Sequence, residues 1–174
     1  MATYYKIASY TAGASEGASI TLSSIPGTYT DLLLKISAKD KYTGANYAAL
    51  SCRFNADTGA NYQYRRMFNS QGSSASDSSS SQTSCNLGYI PTADLTNQFG
   101  ICNVYMPNYT WSNPKIQSID NAQEGAQATT GIFSPLMASN YWSGTAAITS
   151  ITITCGGTAF AQYSLFDLYG IKST

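Results

Sequence analysis

The sequence contains no histidine. That absence excludes Ser-His-Asp and Cys-His catalysis, histidine-ligated metal sites and the usual proton shuttle near neutral pH. Charge is scarce too: 10% of the 174 residues are charged, against about 25% in an ordinary soluble domain. Nine Lys+Arg balance nine Asp+Glu, so the formal charge is zero. With no basic excess to neutralise phosphates, nucleic acid is not an expected partner. No run approaches the ~20 apolar residues of a spanning helix, so no membrane contact is expected. Met1 to Ser9 has one lysine and no apolar h-region, which points to synthesis and folding in a cytoplasm.

The four cysteines, Cys52, Cys85, Cys102 and Cys155, form no C-x-x-C pair and lack the clustered spacing of a zinc site. Without an export signal they read as reduced thiols buried in strands rather than as disulfides. The nine acidic residues show no convincing pair on one element for glycosidase chemistry. Composition therefore points away from an enzyme, and no catalytic residue, cofactor or metal is expected.

What is present is hydroxyl and phenol. Ser and Thr number 43, and Tyr supplies 14 of the aromatics. Apolar content of 43% is enough for a core, and tyrosine favours strands and boundaries between buried and wet surfaces. A weakly charged surface gives little repulsion between copies, so association is expected.

Short apolar runs separated by Gly, Pro, Asn and Ser give an all-β rhythm. Strands are expected at Tyr4–Ser9, Ala18–Leu22, Asp31–Ala38, Ala48–Asn55, Tyr62–Asn69, Gln82–Ile90, Gln98–Pro107, Lys115–Asn121, Ala128–Met137, Ile148–Cys155 and Ala161–Lys172. In the fourth, Ala48, Leu50, Cys52 and Phe54 alternate with Ala49, Ser51, Arg53 and Asn55, the pattern of a half-buried antiparallel strand. The last expected strand is apolar on both faces, which places it inside a sheet or at an interface. Thr-Gly-Ala-Asn-Tyr occurs at Thr43–Tyr47 and Thr58–Tyr62; each copy reads as a turn whose Gly or Asn takes positive φ. Pro91–Thr96 could form one helical turn. Ser70–Ser84 is low in complexity and reads as a flexible surface loop. No domain boundary is visible, so residues 1–174 read as one antiparallel β-sandwich domain containing that loop.

Asp57-Thr58-Gly59 spells the aspartic-protease triplet, but turn residues flank it and a hairpin turn is the better reading. Asn55, Asp57 and Asn61 offer one carboxylate, too few for a convincing calcium site. Arg65-Arg66 reads as a surface or inter-subunit pair. Asn108-Tyr109-Thr110 matches a glycosylation sequon, which would stay unmodified without export. Two aromatic clusters, Tyr109 with Trp111 and Tyr141 with Trp142, are candidates for burial or protein-interface contacts, or for stacking on a glycan.

Several segments carry a family likeness. Ile25–Leu34 (IPGTYTDLLL), Arg53–Tyr62 (RFNADTGANY), Ala146–Thr152 (AAITSIT), and the ending Phe160–Ser164 with Leu168–Lys172 (LYGIK) resemble stretches of a family of tailed-bacteriophage structural proteins. The ending is the most distinctive match, and together the segments span nearly the whole chain. The resemblance implies a virion surface protein with a jelly-roll-like β-sandwich, of the capsid decoration (cement) or tail-fibre type. It supplies no site residues. The implied partner is the major capsid protein, with tail or fibre proteins as the alternative. A small homo-oligomer is expected, and a trimer would suit the local threefold positions of an icosahedral shell. The tail-fibre alternative would make the chain a receptor- or glycan-binding module.

Overall fold

The computed structural model describes residues 2–70, 73–95, 98–123 and 133–172. Among them are twelve strands and no helix: β1 (Thr3–Thr11), β2 (Ser19–Leu22), β3 (Asp31–Ala38), β4 (Tyr47–Phe54), β5 (Tyr62–Ser70), β6 (Ser73–Gln82), β7 (Cys85–Pro91), β8 (Gly100–Met106), β9 (Lys115–Ala122), β10 (Phe133–Trp142), β11 (Ile151–Cys155) and β12 (Leu165–Lys172). They form two antiparallel sheets. The long one has the order β1-β12-β3-β8-β9-β10-β5-β6, the short one β2-β11-β4-β7.

The topology reduces to a familiar plan. With the β5-β6 and β9-β10 hairpins set aside, the remaining eight strands fall into two four-stranded sheets with the alternating order of a jelly roll, two interlocked Greek keys. The two hairpins are inserted between β4 and β7 and between β8 and β11. They join side by side and widen one sheet by four strands.

The core follows from the period of two. Leu32, Leu34, Ile36 and Ala38 of β3 point inward, as do Ala48, Leu50, Cys52 and Phe54 of β4. Phe166 and Leu168 of β12, Cys102, Val104 and Met106 of β8, and Ile151 and Ile153 of β11 complete the apolar layer. Phe160 packs edge-on against Phe166, with ring centroids 4.8 Å apart. β12 lies between β1 and β3, inside its sheet as its two apolar faces suggest.

The added wing, β9-β10-β5-β6, is closed differently. Behind it stands β7, whose far edge turns unpaired backbone groups toward it. Two buried asparagines on the inner face of the wing meet those groups. Asn140 accepts from the Asn86 N–H at 3.2 Å and donates to the Asn86 carbonyl at 2.7 Å. Asn121 accepts from the Tyr89 N–H at 3.4 Å and donates to the Tyr89 carbonyl at 2.9 Å. Side-chain amides thus stand in for a missing neighbouring strand, which satisfies a sheet edge that would otherwise be buried and unpaired. Gly88 lies between these contacts at φ +92, where a bulge leaves Leu87 without a ladder partner; a Cβ there would come within 2.8 Å of the Asn121 side chain.

Every expected strand has a counterpart among the described residues, with some bounds moved. β11 starts at Ile151, and β12 starts at Leu165 because Tyr163 (φ 72) and the bond from the Ser164 N–H to the Ala161 carbonyl make a turn. β10 runs on through Tyr141 and Trp142, while residues 128–132 of that expected strand lie outside the described residues. Three expectations are corrected. Most of the Ser-rich segment is strand rather than loop: β5 runs to Ser70 and Ser73–Gln82 is a strand paired with β5, its register fixed where Asp77 receives the Arg66 guanidinium in two bonds, 2.6 and 2.8 Å, while residues 71 and 72 lie outside the described residues. Pro91 ends β7, and the Leu95 N–H on the Thr92 carbonyl closes a turn in place of a helical turn, while Thr96 of that expected turn lies outside the described residues. Of the two Thr-Gly-Ala-Asn-Tyr turns, only the first has its glycine at positive φ (Gly44, φ 102); around the second, Asn55 and Ala56 take that conformation.

Candidate functional site: the outer face of the long sheet

The inner face of the long sheet is spent on packing, so its outer face is the broadest surface available for function. Antiparallel register brings outward side chains into rows across the strands. One row runs Ser78, Arg65, Ser139, Ser118, Tyr105, Leu33, Tyr169, Lys6; the next runs Ser76, Met67, Met137, Asp120, Asn103, Lys35, Asp167, Ser9. Tyr4, Ile101, Tyr105, Ile116, Met67 and Met137, half of the large apolar side chains that the described surface exposes, stand on this one face.

The two halves of the face differ. On β1-β12-β3-β8, Tyr4, Tyr105 and Ile101 are exposed, and Leu33, Leu165 and Tyr169 lie half-buried among them. Three of the polar groups here are already matched. Lys6 pairs with Asp167 at 3.1 Å, Ser9 donates to the same carboxylate at 2.5 Å, and the Tyr105 hydroxyl donates to Asp31 at 2.8 Å. On the wing, Gln63, Arg65, Ser78, Ile116, Ser139 and Tyr141 help to line a groove of about 480 Å³ near the base of β5 and β10. A second depression of about 570 Å³ continues it along the strands past Met67 and Met137.

The four aromatics expected at a contact site are separated. Tyr109 is buried; its hydroxyl donates to the Pro26 carbonyl and receives the Tyr29 N–H at 3.4 Å. Trp142 is 3% exposed, packed 5.4 Å from Phe54 and stacked at 6.3 Å on Tyr62. It also closes over Gly144, where a Cβ would lie 2.2 Å from its ring. Tyr109 and Trp142 are therefore core residues and no part of a surface platform. Trp111, 58% exposed, and half-buried Tyr141 remain accessible. Adjacent strand residues face opposite ways, which splits Tyr141 from Trp142 and Arg65 from Arg66.

Arg66 is structural. Its guanidinium lies 5.1 Å from the ring centroids of Tyr64 and Phe68 and 5.6 Å from that of Tyr89, and holds Asp77 as described. Arg65, its neighbour, has no ion-pair or hydrogen-bond partner among the described residues.

The Asp57 triplet is a turn. Its carboxylate accepts the Trp142 indole N–H at 2.7 Å, the Asn61 amide at 2.9 Å and the Gly59 N–H at 2.8 Å. The indole bond, with those from Asn61 and Gly59, holds the carboxyl below the usual carboxylate range against the opposing effect of burial. Asn55 directs its carbonyl to the Thr149 and Ser150 N–H groups and its amide to the Ala147 carbonyl. These oxygens are committed to hydrogen bonds inside the chain, which leaves no shared shell for calcium. Asp40 is a buried acceptor for the N–H groups of Tyr42, Gly157 and Thr158. Lys115, also buried, donates to the carbonyls of Trp111, Asn113 and Thr145, and burial pushes its pKa down. All four cysteines are free thiols in the interior, and burial raises the pKa values of Cys85, Cys102 and Cys155, which makes them poor nucleophiles.

Sequence reasoning missed Met67, Met137, Ile116, Ile101 and Tyr105. The period-two phase of β5, β8 and β9 carried the signal: once Tyr62 and Phe68 are inward, Arg65 and Met67 must be outward. No family model matches the chain, and no curated protein or solved structure matches it either.

Proposed function

We propose that the chain is a non-enzymatic virion structural protein, a capsid decoration protein that attaches to the outer surface of the shell as a small oligomer and stabilises it. The observation that carries this reading is the outer face of β1-β12-β3-β8. Tyr4, Tyr105 and Ile101 stand exposed on a wide sheet whose neighbouring charges Lys6, Asp167 and Asp31 already have partners. Covering Lys6 and Asp167 together removes a matched pair from water, while Lys35, exposed on β3 with no partner among the described residues, calls for an acceptor on the covering protein. Tyrosine anchors set among neutral hydroxyls suit contacts that are individually weak and add through several copies. The jelly-roll plan and the phage-like segments Arg53–Tyr62 and Leu168–Lys172 favour the same class.

Seven of the eight described acids also support a non-catalytic role: Asp31, Asp40, Asp57, Asp77, Asp94, Asp167 and Glu16 each accept a hydrogen bond that holds a strand, turn or side chain in place, while Asp120 stands exposed on β9.

Cryo-electron microscopy of virions that carry the chain tests the proposal. Jelly-roll density repeating over the shell lattice is expected. Density confined to the tail would overturn the decoration reading in favour of the tail-fibre alternative.

A further inference from the structure

The wing groove differs in chemistry from the proposed attachment surface. Tyr141 stands between Ile116 and Gln63 in one cross-strand row, and the hydroxyls of Ser78 and Ser139 flank Arg65 in the next. Arg65 stands among them as an exposed guanidinium with no partner among the described residues. No carboxylate lines the groove; of the acids on its four strands, Asp77 points to the opposite face and is held by Arg66, and Asp120 stands on the outer face of β9 in the next row, opposite Met137. Its volume of about 480 Å³ falls within the range of roughly 300–1,000 Å³ typical of small-ligand sites.

Each component selects for something. A ring and an aliphatic side chain next to each other offer an apolar ledge to the C–H face of a ligand. Hydroxyls and a primary amide both donate and accept, so they match a ligand bearing several hydroxyls better than a hydrocarbon or a simple ion. A planar guanidinium with no internal counterion matches a carboxylate in two parallel bonds. From this combination we infer that the groove between β5, β6, β9 and β10 is a binding site for an acidic saccharide, with Arg65 on the sugar carboxylate and Tyr141 beneath the ring. The inference stands apart from the decoration proposal. The groove lies on the wing half of the same outer face and shares no residue with the β1-β12-β3-β8 half.

Isothermal titration of the purified chain with two carboxylated probes, oligogalacturonate and oligosialate, tests the site. A neutral oligogalactose of equal length and polyglutamate serve as comparisons. At least one carboxylated sugar is expected to bind at least tenfold more tightly than oligogalactose and polyglutamate. Arg65→Gln and Tyr141→Ala are each expected to weaken that binding tenfold or more, while Lys35→Gln, outside the groove, leaves it within twofold. Both groove positions are on the surface, and thermal melts identify any variant that has lost its fold; Arg65→Lys, which keeps the charge but loses the fork, should give an intermediate loss. Binding of neither carboxylated probe would overturn the inference. So would equal binding of polyglutamate, which needs charge alone, or binding that Arg65→Gln and Tyr141→Ala leave unchanged.

Discussion

The two halves of the long sheet share one hydrogen-bonded ladder and close it in different ways. Behind β3, β8 and β12 the interior is apolar and built by area: Leu32, Leu34, Ile36, Val104, Phe166 and Leu168 are almost fully buried. Behind β9 and β10 the contact is with β7, and directed amide bonds from Asn121 and Asn140 do much of the joining. Apolar burial is non-directional and tolerates small shifts. An amide clamp demands a fixed register but adds less, because water would have bonded the same groups in the unfolded chain. A jelly roll can therefore accept a four-stranded extension provided that the extension brings its own polar partners for the edge it covers. The outer faces differ in parallel: tyrosines and the Lys6–Asp167 pair beside an exposed Lys35 on the jelly-roll half, Arg65, Asp120 and serine hydroxyls on the wing.

Substitutions that strike one half at a time can break this contrast. The largest effect is expected in the jelly-roll core, where Leu34→Ala should cost about 2–5 kcal/mol by urea unfolding. A loss smaller than that from the amide clamp would refute the ranking. Next comes the clamp itself. Asn121→Ala or Asn140→Ala strands a buried N–H and carbonyl of β7 and should cost about 1–3 kcal/mol. Hydrogen exchange should then quicken in β5, β9 and β10 while β3 and β12 keep their protection; equal loosening of both halves would show one cooperative sheet.

A pH effect should be smaller. The Asp57 carboxyl has a folded-state pKa below its unfolded value, chiefly through the Trp142 indole, with help from Asn61 and Gly59. Its contribution is therefore complete above the unfolded value and is lost as pH falls through the folded one. Melting temperatures followed into acid should show Asp57→Asn with a shallower decline than the parent chain; identical curves would remove Asp57 from the account. Least of all, Ser76→Thr on the exposed side of β6 should shift stability by no more than about 0.5 kcal/mol.

Much of the jelly roll could be read from residues alone, because β3 and β4 alternate and their turns carry Gly, Asn or Pro. β6 could not. Serine supplies neither an apolar face nor strand propensity, and what makes Ser73–Gln82 a strand is the backbone edge offered by β5 together with the Arg66–Asp77 pair. The aromatic candidates failed for a related reason. Composition cannot separate Trp111 in an open turn from Trp142 at a strand end, where a neighbouring Gly144 and the Asp57 carboxylate draw the indole inward. Nothing in the sequence marks Asn121 and Asn140 as buried; only the tertiary placement of β7 reveals them as its edge partners.

Hydroxyl-radical footprinting of the chain mounted on capsid shells, compared with the chain alone, tests the central assignment most directly. The expected result is a marked fall in oxidation at Tyr4, Tyr105 and Ile101, with Met67, Met137 and Tyr141 still labelled. Protection confined to the wing, with Tyr4 and Tyr105 labelled as in the unattached chain, would contradict the assignment of the jelly-roll half as the attachment surface.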